Sequence, residues 1–170
     1  MSDRGFEWNI NEGCSIHNFT SQPFLVWPDG NKQNITINLN GTESSPVLIY
    51  DNKSFCFEVG SGREWKDERG GFSLNAKYVK FSTNGGILKT DWDPVQIAAI
   101  NFSFAHCEFE DNGIQPLIFQ RGSFVLSFTQ SVFNPSPGVD GLDDALAASV
   151  KGTGELDVVD GAIAKKARSK

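Results

Sequence analysis

An all-β fold, a single antiparallel β-sandwich with a mostly irregular C-terminal tail, is the class this sequence predicts. Three observations carry that expectation. Apolar and polar residues alternate with a period of two over several short stretches, the pattern of strands with one buried face. Turn-forming clusters separate those stretches at the close intervals of a sandwich or barrel. Phenylalanine, at 14 of 170 residues, is the main aromatic, which suits a core filled by two facing sheets.

In chain order, a turn at Pro28-Asp29-Gly30-Asn31 precedes a stretch in which Ile35, Ile37 and Leu39 alternate with Thr36 and Asn38, and Asn40-Gly41 ends it. Pro46-Val47-Leu48-Ile49-Tyr50, a turn at Asp51-Asn52, and Phe55-Cys56-Phe57-Glu58-Val59 read as a β-hairpin. Its second arm runs through Gly60-Ser61-Gly62-Arg63 into the loop 64–71, which carries charges of both signs around Trp65 and is bracketed by glycines. Function sits on such loops more often than in the sheet beneath them. Further turns fall at Asn84-Gly85-Gly86 and Asp111-Asn112-Gly113, and further alternating stretches at Phe102 to Ala105 and at Phe124, Leu126 and Phe128. No helix of ordinary length is expected before residue 135, and no internal repeat is evident.

The aromatics stop at Phe133 and the composition turns to Pro135-Ser136-Pro137-Gly138, then to small and acidic residues, then to a basic end at 165–170. Residues 1–134 are therefore read as the sandwich domain and 135–170 as a flexible tail with one short helix over 143–150, marginal by itself. The length suits one domain with a core of its own.

Bulk charge narrows the partners. Fifteen Lys and Arg against 21 Asp and Glu leave a net charge of −6, and the basic residues of the body are scattered, so nucleic acid is not an expected partner. No stretch reaches the roughly 20 apolar residues that span a bilayer, and Met1-Ser2-Asp3-Arg4 is not followed by the apolar core of a signal peptide. A protein made without a cleaved leader, cytoplasmic or non-classically secreted, is the expectation. Sequons at Asn18, Asn34, Asn40, Asn52 and Asn101 matter only where glycosylation occurs.

Cys14, Cys56 and Cys107 are odd in number and lack metal-ligand spacing; buried thiols are expected, with no metal and no cofactor. His17 and His106 lie far apart, and His106 continues an alternating stretch as a structural imidazole would. Asp91 and Asp93 flank Trp92, a spacing compatible with a glycosidase carboxylate pair, with a calcium site, or with plain solvation. Trp27 before a Pro-Asp-Gly turn, Trp65 in the charged loop, and Trp92 between two aspartates stand where an indole is partly exposed; Trp8 and another could instead close the ends of a sandwich. Indoles so placed favour membrane interfaces and sugar rings, and Arg63 and Glu68 flank Trp65 closely enough to engage a polar head group.

These residues resemble the aegerolysins, small β-sandwich proteins that recognise sphingolipid-containing membranes. The likeness covers residues 6 to 130. Glu7-Trp8-Asn9-Ile10 resembles the family's Trp-led first strand, and His17-Asn18-Phe19-Thr20-Ser21-Gln22 its His-Asn and Ser-Gln stretch. Trp27 with Asp29-Gly30-Asn31-Lys32, then Gly62-Arg63, Glu68, Gly71-Phe72-Ser73-Leu74 and Trp92-Asp93-Pro94 are similar to further family motifs. Ser61 stands where the family has Cys, and the Trp-Asp-Pro stretch lacks the family's Cys and second Trp. The resemblance implies Glu68 as a carboxylate that selects the head group, Trp27 and Trp92 as interfacial aromatics, membrane sphingolipid and sterol as ligands, and a perforin-like pore-forming partner. The expected function is non-catalytic lipid recognition through Trp27, Arg63, Trp65, Glu68 and Trp92; a carbohydrate-binding module or lectin is the alternative, and a glycoside hydrolase fragment using Asp91 and Asp93 a third.

Overall fold

A computed structural model describes residues 5–26, 34–60, 70–91, 97–113, 117–119, 123–134, 153–159 and 167–168. Its strands are β1 (Phe6–Asn11), β2 (Ser15–His17), β3 (Phe24–Val26), β4 (Asn34–Asn40), β5 (Val47–Tyr50), β6 (Phe55–Gly60), β7 (Gly70–Lys77), β8 (Val79–Ser82), β9 (Gly86–Asp91), β10 (Ile97–Ala105), β11 (Glu108–Glu110), β12 (Leu117–Phe119), β13 (Ser123–Thr129), β14 (Val132–Asn134), β15 (Thr153–Val159) and β16 (Ala167–Arg168).

The corners between strands decide the architecture. Tyr78 alone separates β7 from β8, with φ 49°, and His106 (φ 53°) and Gln130 (φ 47°) stand at the same corner of later turns. One residue cannot reverse a chain into a hairpin, which needs a loop of at least two. It bends the strand instead and sends it into another sheet. A second corner is made by Asn18, Asp51, Thr83 and Asp111, with φ between 50° and 62°. Asn and Asp tolerate this left-handed conformation better than most side chains.

Because these described corners bend the chain without reversing it, successive strands from β1 to β15 fall in different sheets, and each pairs with its counterpart in a neighbouring coil. The first sheet has the order β1-β4-β7-β10-β13-β15-β16, the second β14-β11-β8-β5-β2, and the third β12-β9-β6-β3. All described pairings are parallel except β15 with β16. Three parallel sheets built one strand per coil define a parallel β-helix.

This corrects the antiparallel β-sandwich. Alternation reports a single buried face and says nothing of the direction of the neighbouring strand. The expected hairpin is a corner: Val47–Tyr50 lies in the second sheet beside Val79–Ser82, whereas Phe55–Gly60 lies in the third beside Gly86–Asp91. The chain also repeats, with Asn52, Asn84 and Asn112 at equivalent positions 32 and 28 residues apart. The tail is not wholly irregular, since Thr153–Val159 pairs in parallel with Ser123–Thr129. The 143–150 helix lies outside the described residues.

Inward side chains stack from coil to coil. Ile37, Leu74 and Phe102 form one row from the first sheet, and Leu39, Ala76, Phe104 and Phe128 the next, all buried. Phe81 and Phe109 stack 5.0 Å apart with planes 4° from parallel, Phe104 and Phe128 at 5.1 Å, and Phe24 and Phe57 at 4.8 Å. These separations match the strand spacing of a sheet, so equivalent residues meet face to face.

The second corner buries a file of amides. Asn52, Asn84 and Asn112 are 1%, 3% and 6% exposed. Asn52 Nδ2 donates to Asn84 Oδ1 and Asn84 Nδ2 to Asn112 Oδ1, each at 2.8 Å. Each oxygen also accepts a backbone N–H of the coil before: Phe19 to Asn52, Asn52 to Asn84 and Asn84 to Asn112. The amide nitrogens reach the carbonyls of Ile16, Ile49 and Phe81. Asn84 thereby makes four hydrogen bonds, the full capacity of its side chain. Gly113 follows the file at φ 52°, and a Cβ there would lie 2.3 Å from the Gly85 carbonyl oxygen, so the position admits only glycine.

Asn84→Ala removes the acceptor of two Asn52 donors, its backbone N–H and Nδ2, strands the Ile49 carbonyl and leaves Asn112 Oδ1 with only the backbone N–H of residue 84. It is expected to cost about 3 kcal/mol in urea unfolding, against less than about 1 kcal/mol for Asn38→Ala on the exposed face.

Cys56 and Cys107 are buried, as the sequence predicts, while Cys14 is exposed. Desolvation raises both buried thiols, Cys107 to about 12, from an ordinary 9.0. At neutral pH both the folded and unfolded thiols hold their protons, so stability is unaffected; above pH 9 the unfolded thiol ionises while the folded one does not, so stability falls as pH rises. Urea unfolding of Cys107→Ala near pH 10 should lack about 1.4 kcal/mol of that alkaline loss, and iodoacetamide should label only Cys14 in the native protein.

Candidate ligand-binding groove

The corner between the first and second sheets is the single residue Tyr78 between β7 and β8, and the pair His106-Cys107 between β10 and β11. In the coil before them it is six residues, from the end of β4 at Asn40 to the start of β5 at Val47. The insertion begins at Gly41, whose N–H donates to the Lys77 carbonyl at 2.9 Å and whose absent Cβ would lie 2.1 Å from the Tyr78 carbonyl oxygen. The loop is tied to itself by Thr42 N–H to Ser45 O (3.1 Å) and Ser45 N–H to Thr42 O (3.2 Å), and to the first coil by Thr42 Oγ1 to Glu12 Oε2 (3.1 Å). It stands out beside the corner as a wall.

Facing that wall, Tyr78 and His106 stack their rings at 4.5 Å with planes 9° apart, and Lys77 Nζ lies 5.7 Å from the Tyr78 centroid. The stack follows from the fold: equivalent corner residues of successive coils sit one strand spacing apart. Between loop and stack runs a groove of about 240 Å³ bordered by Glu43, Pro46, Lys80, Glu108 and Gln130. Lys80 Nζ is held by Glu108 at 3.2 Å and Glu110 at 3.7 Å, and hydrogen bonding to Glu108, with the charge of that carboxylate, raises the Lys80 pKa above its ordinary value. The groove is smaller than the roughly 300–1,000 Å³ of a drug-sized site. It offers an aromatic wall together with carboxylates, an ammonium and a carboxamide.

The outer face of the first sheet adjoins this corner and is polar. Asn9, Asn38 and Asn75 align in register, with Asn38 Nδ2 donating to Asn9 Oδ1 (2.9 Å) and Glu7 Oε1 (2.8 Å), and Asn75 Nδ2 to Asn38 Oδ1 (2.9 Å). On the second sheet, His17 stacks on Tyr50 at 4.7 Å.

Trp27, Arg63, Trp65, Glu68, Trp92 and Asp93 lie outside the described residues. Asp91 ends β9, its side chain outside the description. Trp8 is exposed and meets Phe24 edge to face at 5.5 Å. His106 occupies the corner after β10 and does not continue the strand. Among the described residues no three His, Cys, Asp or Glu converge as metal ligands, and no helix is long and apolar enough to cross a membrane. Of the sequon asparagines, Asn52 is sealed in the buried amide file.

Sequence reasoning passed over Tyr78, Glu43, Lys80 and Glu108. The signal was there in the repeat: Tyr78-Val79 and His106-Cys107 each follow an alternating stretch and precede a second short apolar one, 28 residues apart in the same register as Asn84 and Asn112. No protein-family model, curated protein or solved structure matches the chain.

Proposed function

We propose that this protein is a non-catalytic glycan-binding β-helix that seats a neutral sugar unit in the groove beside Tyr78 and His106. The stacked rings carry this reading. A pyranose presents an apolar face of C–H groups that packs on an aromatic ring and a rim of hydroxyls that need partners, and the groove supplies both. Charge selects within the sugars. Lys80 is already matched by Glu108 and Glu110, and Glu43 adds a further carboxylate, so phosphorylated and uronic sugars meet repulsion. A rigid solenoid also holds its polar first-sheet face in line with the groove, which suits an extended chain more than a single residue.

The sphingolipid and sterol reading draws on residues that lie outside the described ones, and the sandwich it presumed is not the fold formed. The described geometry favours glycan over lipid.

A neutral-glycan array followed by titration calorimetry tests the proposal. Tyr78→Ala is expected to weaken binding at least about tenfold, which is about 1.4 kcal/mol, and Glu43→Gln less, while Lys89→Ala on the third sheet leaves it unchanged. Absence of binding to any neutral glycan, or binding indifferent to Tyr78→Ala, overturns it. Sedimentation with sphingomyelin–sterol liposomes in the absence of glycan binding would return the lipid reading, and release of new reducing ends would replace binding by hydrolysis.

A further inference from the structure

A second pair of stacked rings stands on the second sheet, outside the groove. His17 and Tyr50 are register partners on β2 and β5, and their rings lie 4.7 Å apart with planes 10° from parallel. Tyr78 and His106 have nearly the same geometry, at 4.5 Å and 9°. His17 is exposed and Tyr50 half-buried. Along β5 the buried Val47 and Ile49 alternate with the exposed Leu48 and with Tyr50, so the Tyr50 ring lies on the outer face of the sheet. Asn18 Nδ2 donates to His17 Nδ1 at 2.7 Å, which leaves Nε2 to carry the ring proton and to donate to a ligand.

The two stacks are the ends of one surface. Leu48, Lys80 and Glu108 form one outward rank across the second sheet, and Tyr50, Ser82 and Glu110 the next. Lys80 and Glu108 also border the groove, so the groove opens onto this face. Tyr78 precedes Ser82, the partner of Tyr50, by four residues. At roughly 3.3 Å per residue, the stacks are therefore about 13 Å apart along the strands, and one coil apart across them. Between them Lys80 Nζ bridges the two ranks, 3.2 Å from Glu108 and 3.7 Å from Glu110. On the first-sheet side of the groove, by contrast, β1, β4 and β7 put no ring on the outer face, and Asn9, Asn38 and Asn75 are bonded to one another.

We infer that His17 and Tyr50 form a second sugar platform, and that the ligand is one linear neutral oligosaccharide running from the groove across the second sheet. The inference rests on the glycan reading of the groove and adds a length and a direction to it. Rings at both ends supply apolar faces for two separated sugar units, and the polar groups between them are partners for the hydroxyls of the units that connect those two. The Lys80 ammonium is shared by two carboxylates, so the path favours an uncharged chain over an anionic one. A sugar seated on one platform brings the rest of its chain to the other at high effective concentration, so the second contact adds affinity without a second encounter. Strand register fixes the spacing of the platforms, so the protein does not rearrange to be bridged.

Titration calorimetry with neutral gluco-, galacto-, manno- and xylo-oligosaccharides of one to six units tests this on the intact chain. In at least one series the affinity is expected to rise at least about tenfold from the two-unit to the six-unit member. Tyr50→Ala should abolish that rise and leave the two-unit affinity unchanged, whereas Tyr78→Ala weakens every length. Equal binding of short and long chains by the wild type, or a folded Tyr50→Ala that keeps the rise, overturns the second platform and leaves the groove reading standing. Should Tyr50→Ala fail to fold, His17→Ala decides in its place, and retention of the full rise overturns the inference. Binding by no member of any series overturns it together with the groove reading.

Discussion

Coil-to-coil stacking at the amide corner is the constraint on which the remainder of the structure depends. A chain that turns about an apolar interior must carry its backbone through each corner, and buried N–H and C=O groups there cost roughly 1–3 kcal/mol apiece if left unpaired. Asn52, Asn84 and Asn112 resolve this by joining side chain to side chain along the axis and side chain to backbone across each coil. No buried side-chain nitrogen or oxygen among the described residues lacks a partner. The file sets the corner of each coil directly over the last. Once the corners are aligned, the aromatic stacks follow, because Phe81 and Phe109, or Phe104 and Phe128, are then held one strand spacing apart.

The same alignment produces the groove. Tyr78 and His106 are corner residues of adjacent coils, and the solenoid stacks them without any contact dedicated to that purpose. What makes a concavity is the departure from the repeat one coil earlier, where Gly41 to Pro46 replaces the one or two residues of the later corners. A solenoid gives function room in this way: the regular coils supply rigidity, and an insertion at one corner supplies a wall. The N-terminal coil is another departure among the described residues, since Phe6 and Trp8 hold core register there yet are exposed.

Much of this was legible in the sequence, though not its assembly. The all-strand character, the strand segments at 35–39, 47–50, 55–59 and 124–128, the turns at Asp51-Asn52, Asn84-Gly85 and Asp111-Asn112, and the buried Cys56 and Cys107 were all readable from alternation and turn chemistry. Strand direction was not, because a period of two is the same for parallel and antiparallel neighbours. Reading Asp51-Asn52 as a reversal made a hairpin of a corner. The three Asx or Thr-Asn turns, taken together at their 32- and 28-residue intervals, were the evidence for a repeat, but each was read as a local turn. The groove was hidden for the same reason, since Tyr78 and His106 become neighbours only when the coils are stacked. The tryptophans drew the functional reading elsewhere because exposed indoles are conspicuous in a sequence, whereas a tyrosine and a histidine 28 residues apart are not.

Nuclear Overhauser contacts between strands test the stacked-coil account most directly. It predicts parallel contacts pairing Ile49 with Phe81 and Phe81 with Phe109, and side-chain amide protons of Asn84 close to Asn112. Cross-strand contacts joining 47–50 to 55–59 in antiparallel register, with those amides exposed to water, would contradict it.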